Sequence, residues 1–464
     1  PAGSGRAPLG AAGSQAAGAD APMRLTLGIY VGLVGLAGAL YLGLSRAVDP
    51  TAAFGNDRWE LSALLQRPPF LGREAELERV AALLRDDASA AVLLLVHGPA
   101  GIGKAALTRA ALAEAGLTDD AATILWGAAD LHEHTPYAPV VAMLRALAGA
   151  PLGHPRAVER VARLVEVLAA PLPRDDAEAL SRLNPVLQRL LGIEDEGIGD
   201  ALGERSAEDP SPRVLRSAVR RALLLVVMAL RARASDGRPA VLVVSGADVL
   251  DGATREAIAF VAVRLGAALR VVLLSATQLR LPASFETCFR SHRLELRGLG
   301  PADAKEILAE LFDRTPDDDE LLALVEKARG SPLMLVQVAR LAIETGMVNR
   351  TGERWTLEGF LPQRVPARID RVLAARAERL PPAARRLLAT CAQLGPGMAP
   401  SAVEFVGVRL GMSRDDVARS LAVLVDAGFL GRQAERPGAP LAPVGRDDGA
   451  PLSFEHPILR EVAL

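Results

Sequence analysis

Residues 93–110 read LLLVHGPAGIGKAALTRA: an apolar run, a glycine-rich turn and the opening of a helix. Gly98, Gly103 and Lys104 fit the spacing G-x-x-x-x-G-K-[ST]. Its chemistry is phosphate cradling. Backbone N–H groups gathered in a tight turn form a concave nest, the helix N-terminus adds partial positive charge, and the lysine reaches the terminal phosphates. Only Lys104, Lys305 and Lys327 are lysines among 53 basic residues, arginine filling every other cationic position. A compact ammonium after GPAGIG is therefore no compositional accident, because arginine's planar fork does not replace it. The position that usually carries a Mg²⁺-ligating hydroxyl is Ala105, which ligates nothing. Thr108, one turn later, is a poor substitute.

The other half of such a site is a strand ending in carboxylates, one holding Mg²⁺ through water and the next orienting the attacking water. The strand placed to do this is 240–244, and SGADVLDGAT follows it. Ser245 and Gly246 stand where the two carboxylates belong. Asp248 and Asp251 come later, on the loop; they are candidate replacement ligands, and Asp251 equally suits the N-cap of a following helix. With the Mg²⁺ shell and the water-activating carboxylate both missing, phosphate binding is expected to survive and efficient hydrolysis is not.

The elements that position these residues follow an α/β pattern. Apolar runs at 91–97, 122–126, 240–245 and 270–275 predict strands, with helices between them, notably 213–233 and 252–267. Continuous apolar strands alternating with helices predict a parallel sheet covered on both faces. From about residue 301 the strands stop, and amphipathic segments predict an all-α lid. The last hundred residues read as helices around 367–379, 382–394, 400–410 and 413–427, then a hairpin: a winged-helix pattern that ends inside an uncapped helix and looks truncated.

Ahead of this lies a Gly/Ala/Ser/Pro-rich stretch, 1–22, read as disordered linker. Residues 25–45, LTLGIYVGLVGLAGALYLGLS, are uncharged and mostly apolar between Arg24 and Arg46. Such a run spans the hydrocarbon core of about 30 Å as a helix, so 23–46 is expected to be a transmembrane segment, with a buried helix or a cleaved signal peptide as alternatives. The domain plan is then 47–66 linker, 67–300 P-loop domain, 301–365 lid and 366–464 winged helix. A net charge of −2 gives no global drive toward nucleic acid. Cys288 and Cys391 show no metal or redox spacing, and His132 and His134, without a third ligand, read as solvated.

The order of motifs resembles the STAND branch of AAA-type P-loop ATPases. FLGREAELERVAALL resembles that family's opening segment, GPAGIGKAAL its Walker A loop, and TPYAPVVAMLRAL its Pro-Tyr-x-Pro segment. ADVLDGATREAI resembles the stretch past Walker B, ARGSPLMLVQVARL the turn before the lid helix with Ser331 for Asn, and LSFEHPILREVAL the Phe-x-His helix. The likeness spans roughly 70–464. It implies an ATP or ADP site formed by Gly98, Pro99, Ala100, Gly101, Ile102, Gly103, Lys104 and Ala105, with Gly330 and Pro332 bringing the lid helix to the nucleotide. SATQLR resembles the strand end that carries a sensor arginine, with Arg280 one position late. Ala105, Ser245 and Gly246 depart from the pattern, so the family's Mg²⁺ and its hydrolysis do not carry over with the fold. The resulting expectation is a membrane-anchored, single-pass nucleotide-binding switch or scaffold facing the cytosol, with protein partners or self-association. The alternatives are an active Mg²⁺-dependent ATPase using Asp248 or Asp251, and a winged-helix DNA binder. The latter is disfavoured because Arg414 and Arg419 share their helix with Asp415, Asp416 and Asp426.

Overall fold

The computed structural model describes residues 70–86, 89–117, 123–129, 136–150, 156–193, 212–234, 237–312, 320–351, 354–356, 363, 365–395, 397–432 and 451–464. All of them lie in one compact unit, Arg58–Leu464. The N-terminal linkers, the 23–46 segment and the His132/His134 pair fall outside the described residues.

Five parallel strands form the central sheet: β1 (Val92–His97), β2 (Ile124–Ala128), β3 (Ala240–Ser245), β4 (Leu269–Ser275) and β5 (Arg290–Glu295). Their order is β2-β3-β4-β1-β5. Strand pleating sends successive side chains to opposite faces. Leu93 and Leu95 of β1 join Leu242, Val244, Val271 and Leu273 on one face, under α3 (Ala138–Ala148), α4 (Ala157–Ala169), α7 (Pro212–Arg233) and α8 (Gly252–Leu265). Leu94 and Val96 join Val241, Val243, Val272 and Leu274 on the other, under α1 (Glu74–Arg85) and α2 (Lys104–Glu114). Two short helices, α5 (Arg174–Arg182) and α6 (Asn184–Leu190), complete the first layer. The predicted α/β sheet covered on both faces is what the chain forms.

Strand β5 did not stand out in the sequence for a physical reason. RSHRLE is an edge strand with mostly exposed side chains, so no apolar run marks it.

A single helical turn, α9 (Ala283–Glu286), links β4 to β5, and after the sheet come α10 (Pro301–Leu311), α11 (Glu320–Ala328) and α12 (Pro332–Glu344). They share a separate core around Phe312, which meets Trp355 edge-on across a small hairpin, β6 (Asn349–Thr351) with β7 (Arg354–Thr356). This mostly helical packing fits the expected lid, with the β6–β7 hairpin, which the all-α expectation lacked, added to its core. A third core unites α13 (Ile369–Glu378), α14 (Pro382–Leu394), α15 (Pro400–Arg409), α16 (Arg414–Asp426) and α17 (Pro457–Ala463) with the antiparallel pair β8 (Leu430–Arg432) and β9 (Leu452–Phe454).

The expected single-pass membrane placement is corrected. Among the described residues no helix is long and apolar enough to cross a membrane. The long α7 has an apolar centre, but Arg213, Arg216, Arg220 and Arg221 crowd its start and Arg231 and Arg233 its end. Membrane anchoring and a cytosolic side for the NTPase domain are accordingly withdrawn.

Candidate functional site

β1 sits between β4 and β5, and its C-terminal end opens into the glycine turn, at the strand ends where open α/β sheets receive ligands. The turn is tight at its start. Gly98 N–H donates to the Ser275 carbonyl at 3.2 Å, and a Cβ on Gly98 would stand 2.5 Å from the Leu296 carbonyl oxygen. Gly101 and Gly103 adopt positive φ of 77° and 102°, which L side chains rarely take. Gly103 is the N-cap of α2 and no side chain caps the helix there. The first-turn amides of α2 are thus left for a ligand, which fits a phosphate.

Lys104 folds over this turn, its Nζ donating to the carbonyls of Gly98 at 2.5 Å and Pro99 at 3.0 Å. Burial lowers its pKa, and the charge of Asp248 works against that shift. Ala105 is half-buried beside the α1/α2 core. Thr108 is fully buried and its hydroxyl donates back to the Lys104 carbonyl at 2.9 Å, so it does not face the site.

The carboxylate half of the site is rebuilt. The Ser245 hydroxyl accepts from Trp126 Nε1 at 3.2 Å. Gly246 has φ of +70°, and a Cβ there would meet the Ala129 carbonyl oxygen at 2.5 Å. A glutamate or aspartate does not fit without moving backbone. Asp248 instead ties β3 to the end of β4. It accepts from Ser275 Oγ at 2.9 Å, Ala276 N at 2.7 Å, Thr277 N at 3.0 Å and Thr277 Oγ1 at 2.8 Å. Burial would raise its pKa, but the bonds from Ala276, Thr277 and Ser275 together hold it below the usual carboxylate range. Asp251 caps α8 through Thr254 N at 2.8 Å and reaches Tyr137 N at 3.3 Å. Both aspartates are occupied in holding loops. The residues present fit a nucleotide phosphate and do not form a conventional Mg²⁺ shell.

Two further groups close on the turn, and a third, His456, feels the charge of Lys104. Arg73, from the opening GRE segment, is buried and donates to the carbonyls of Ile102 at 2.9 Å and Arg297 at 2.8 Å. The start of α12 docks directly: Leu333 N donates to the Gly101 carbonyl at 3.2 Å, and a Cβ on Gly101 would lie 2.8 Å from Leu333 Cβ. Pro332 lies at the first turn of α12, its Cγ 3.9 Å from where a Gly103 Cβ would stand. Gly330, at φ +75°, packs against Gly298 and Leu299 to make that approach possible. Finally, His456 caps α17, Nδ1 accepting from Ile458 N at 3.3 Å. Burial pushes its pKa down to about 4, and the positive charge of Lys104 adds to the shift. The structure thus brings residues 98–105, Pro332 and Asp248 into one neighbourhood. Arg280 is exposed beyond it. The roles of Arg73 and Asp248 were not legible as spacing, since each acts through loop carbonyls or amides distant in the chain.

A glycine turn between β1 and α2 of a parallel sheet, backed by a helical lid, defines a P-loop nucleotide-binding fold. Residues 69–274, a little under half of the chain, match the model of the AAA ATPase domain. The finding agrees with the likeness read from the motifs and carries nucleotide binding with it. No curated protein matches the chain in sequence. Among solved structures, it is similar to a signal transduction ATPase with numerous domains (STAND) bearing a tetratricopeptide repeat sensor from Pyrococcus horikoshii, at 14% identity and a TM-score of 0.42. That alignment covers 85% of this chain and 43% of the other, so the chain spans less than half the length of that protein. It is also similar to Orc1 from Aeropyrum pernix in complex with DNA, at 16% identity and a TM-score of 0.39, covering 88% and 95% of the two chains. Cdc6p from Pyrobaculum aerophilum aligns at 13% identity and a TM-score of 0.35, over 88% and 97%. These overlays are too loose to carry function.

Proposed function

We propose that the chain is a STAND-like nucleotide-holding switch or scaffold with weak or no hydrolysis, its P-loop binding ATP or ADP through residues 98–105 with Pro332 at the lid. The observation that carries this reading is the contrast within one site. The glycine turn and Lys104 are built to hold phosphate, whereas Gly246 sits where a Cβ would strike the Ala129 carbonyl at 2.5 Å. Domain limits of 67–300, 301–365 and 366–464 belong to the same proposal, the last as a winged helix that packs against the core and presents surfaces to protein partners or further copies. The Mg²⁺-dependent ATPase reading has less support because Asp248 and Asp251 already accept from loop donors. The DNA-binding reading is also weakly supported. Arg414 pairs with Glu404 at 3.0 Å and Arg419 with Asp416 at 2.6 Å, leaving no phosphate-seeking face on α16.

Calorimetric titration of ATP and ADP into the full chain, with and without Mg²⁺, tests the reading. Micromolar binding indifferent to Mg²⁺, without turnover, is expected. Mg²⁺-dependent turnover that disappears in Asp248→Asn or Asp251→Asn would establish the ATPase alternative instead.

A further inference from the structure

The C-terminal ends of β3, β4 and β1 lie side by side in the sheet, and a line of hydrogen bonds crosses them into the glycine turn. Ser275, the last residue of β4, is buried and pairs in register with His97, the last residue of β1. Its hydroxyl donates to Oδ1 of Asp248, on the loop after β3, at 2.9 Å. Its carbonyl accepts the Gly98 N–H at 3.2 Å, one rung beyond the β1/β4 ladder. The Gly98 carbonyl in turn accepts from Lys104 Nζ at 2.5 Å. Asp248, Ser275, Gly98 and Lys104 are therefore joined end to end by direct contacts.

The aspartate end of this line is firmly held. Oδ2 of Asp248 accepts from Ala276 N at 2.7 Å, and Oδ1 accepts from Thr277 N at 3.0 Å and Thr277 Oγ1 at 2.8 Å besides Ser275. Bonds to an ionised acceptor are roughly twice as strong as neutral ones. An asparagine cannot replace the carboxylate, because whichever way it turns its Nδ2 meets a backbone N–H, that of Ala276 or of Thr277. Further along the same loop, Arg293 Nη1 donates to the Leu279 carbonyl at 2.8 Å. The Ser275 carbonyl is thus fixed, and the Gly98 amide is fixed with it. On its other side Gly98 has no slack, since the Leu296 carbonyl oxygen stands 2.5 Å from where a Cβ would lie.

An anion cradle works best when its donors are in place before the ligand arrives, because ordering a loop on binding consumes affinity. We propose that Asp248 is a positioning residue for the phosphate turn. Through Ser275 it sets the Gly98 peptide and, with it, the resting place of Lys104, so that the turn is already shaped for a nucleoside diphosphate. Asp248 itself bonds only the loop after β4. The relay stands on the hydrogen bonds; its effect on affinity rests on the nucleotide-holding reading above.

Calorimetric titration of ADP into the full chain, paired with hydrogen exchange, tests it in Asp248→Ala, Ser275→Ala and the double variant. Asp248→Ala is expected to weaken binding about tenfold, and Ser275→Ala by less because its carbonyl and the Ala276 and Thr277 bonds remain. The double variant should bind no more weakly than Asp248→Ala alone, since both residues act through one line of contacts. Additive losses, or wild-type affinity in Asp248→Ala, overturn the relay. Asp248→Asn should behave as Asp248→Ala does, and full rescue by the amide counts against it. Val403→Ala, in the wholly buried C-terminal core and remote from the turn, controls for stability. It should melt earlier yet bind ADP as the wild type does; an equal loss of affinity there would reduce the effect of Asp248 to stability alone. Without nucleotide, amides 98–104 should exchange faster in Asp248→Ala and Ser275→Ala but not in Val403→Ala, and unchanged exchange counts against the proposal. Should Asp248→Ala fail to fold, Thr277→Val decides, because it removes one hydroxyl donor from the same carboxylate. The same exchange pattern is then expected at a smaller amplitude, and its absence overturns the relay. If the wild-type chain binds no ADP, the nucleotide reading fails while the exchange pattern still decides the relay.

Discussion

Gly246 lies so close to Ala129 that a Cβ on it would stand 2.5 Å from the Ala129 carbonyl oxygen, at a φ of +70°. The missing carboxylate is therefore written into the backbone between β2 and β3. Gly246→Glu is expected to destabilise the fold by about 2 kcal/mol or more, from the positive φ and the backbone contact together, and, on the nucleotide-holding reading proposed above, to add no hydrolysis. Chemical denaturation alongside a phosphate-release assay checks both. Wild-type stability in this variant would show that the loop yields easily and that the loss is a simple point change.

Lys104 presently satisfies its ammonium on the Gly98 and Pro99 carbonyls. A phosphate in the turn exchanges those neutral acceptors for an anion, and charge-assisted bonds of this kind contribute about 1.5–3 kcal/mol. Lys104→Ala should weaken nucleotide binding by roughly tenfold to a hundredfold while leaving the folded state intact. Calorimetry with a parallel melting curve separates the two effects.

Arg73 braces the same turn from behind, bonding the Ile102 and Arg297 carbonyls from a buried position. Its loss leaves two carbonyls short of a charged donor, so Arg73→Ala should cost about 2–3 kcal/mol in stability. Both bonds come from one nitrogen, Nη2, while Nη1 faces Glu76 at 3.7 Å. Arg73→Lys should rescue little of the loss, because the shorter lysine places its single ammonium short of that position and lacks a second nitrogen for Glu76. Urea midpoints of the two variants test this, and full rescue by lysine would argue for charge alone.

These residues show what the sequence made legible. The glycine turn, Lys104, the apolar strands and the helix capped by Asp251 are local signals: a spacing, a run, a residue just before a periodic segment. The same locality explains what was hidden. Strand β5 is a polar edge strand without an apolar run, and the β6–β7 hairpin is only a few residues long. The grip of Asp248 on Ala276 and Thr277, and the approach of Leu333 to Gly101, depend on chain segments that only folding brings together.

Asp248 accepts several bonds from the end of β4, and its pKa is held below the ordinary carboxylate range despite burial working the other way. A lowered carboxylate pKa means that its stabilisation is present above the unfolded-state pKa near 3.8 and is lost as pH falls through the folded value. Much of the Asp248 surface still faces solvent, which screens the effect, and Asp248→Asn should cost about 1 kcal/mol at neutral pH. The gap between wild type and variant should close in acid, below the usual carboxylate range. A gap independent of pH would mean that shape, and not charge, holds the β4 turn.

His456 gives the opposite end of the site its own pH signature. Its imidazole is pushed down to about 4 by burial, with Lys104 adding to the shift, against an ordinary value of 6.5. Nδ1 already accepts from Ile458 N, so a proton added on that nitrogen breaks the cap of α17 and places a cation before Lys104. For a base with a depressed folded pKa, stability is fully present above 6.5 and falls as the unfolded state takes up the proton, until the folded value is passed. The wild-type chain should therefore lose no more than about 3 kcal/mol between pH 7.5 and pH 4 through this residue, less what partial exposure screens. His456→Gln keeps an acceptor at the cap yet cannot titrate, so its stability curve should be flatter over the same window. Denaturant midpoints measured at several pH values on both proteins isolate the term, because other titrating groups, His292 among them, are common to each. Parallel curves for the two would place the imidazole in solvent, away from Lys104, and would remove the electrostatic link between the C-terminal unit and the phosphate turn.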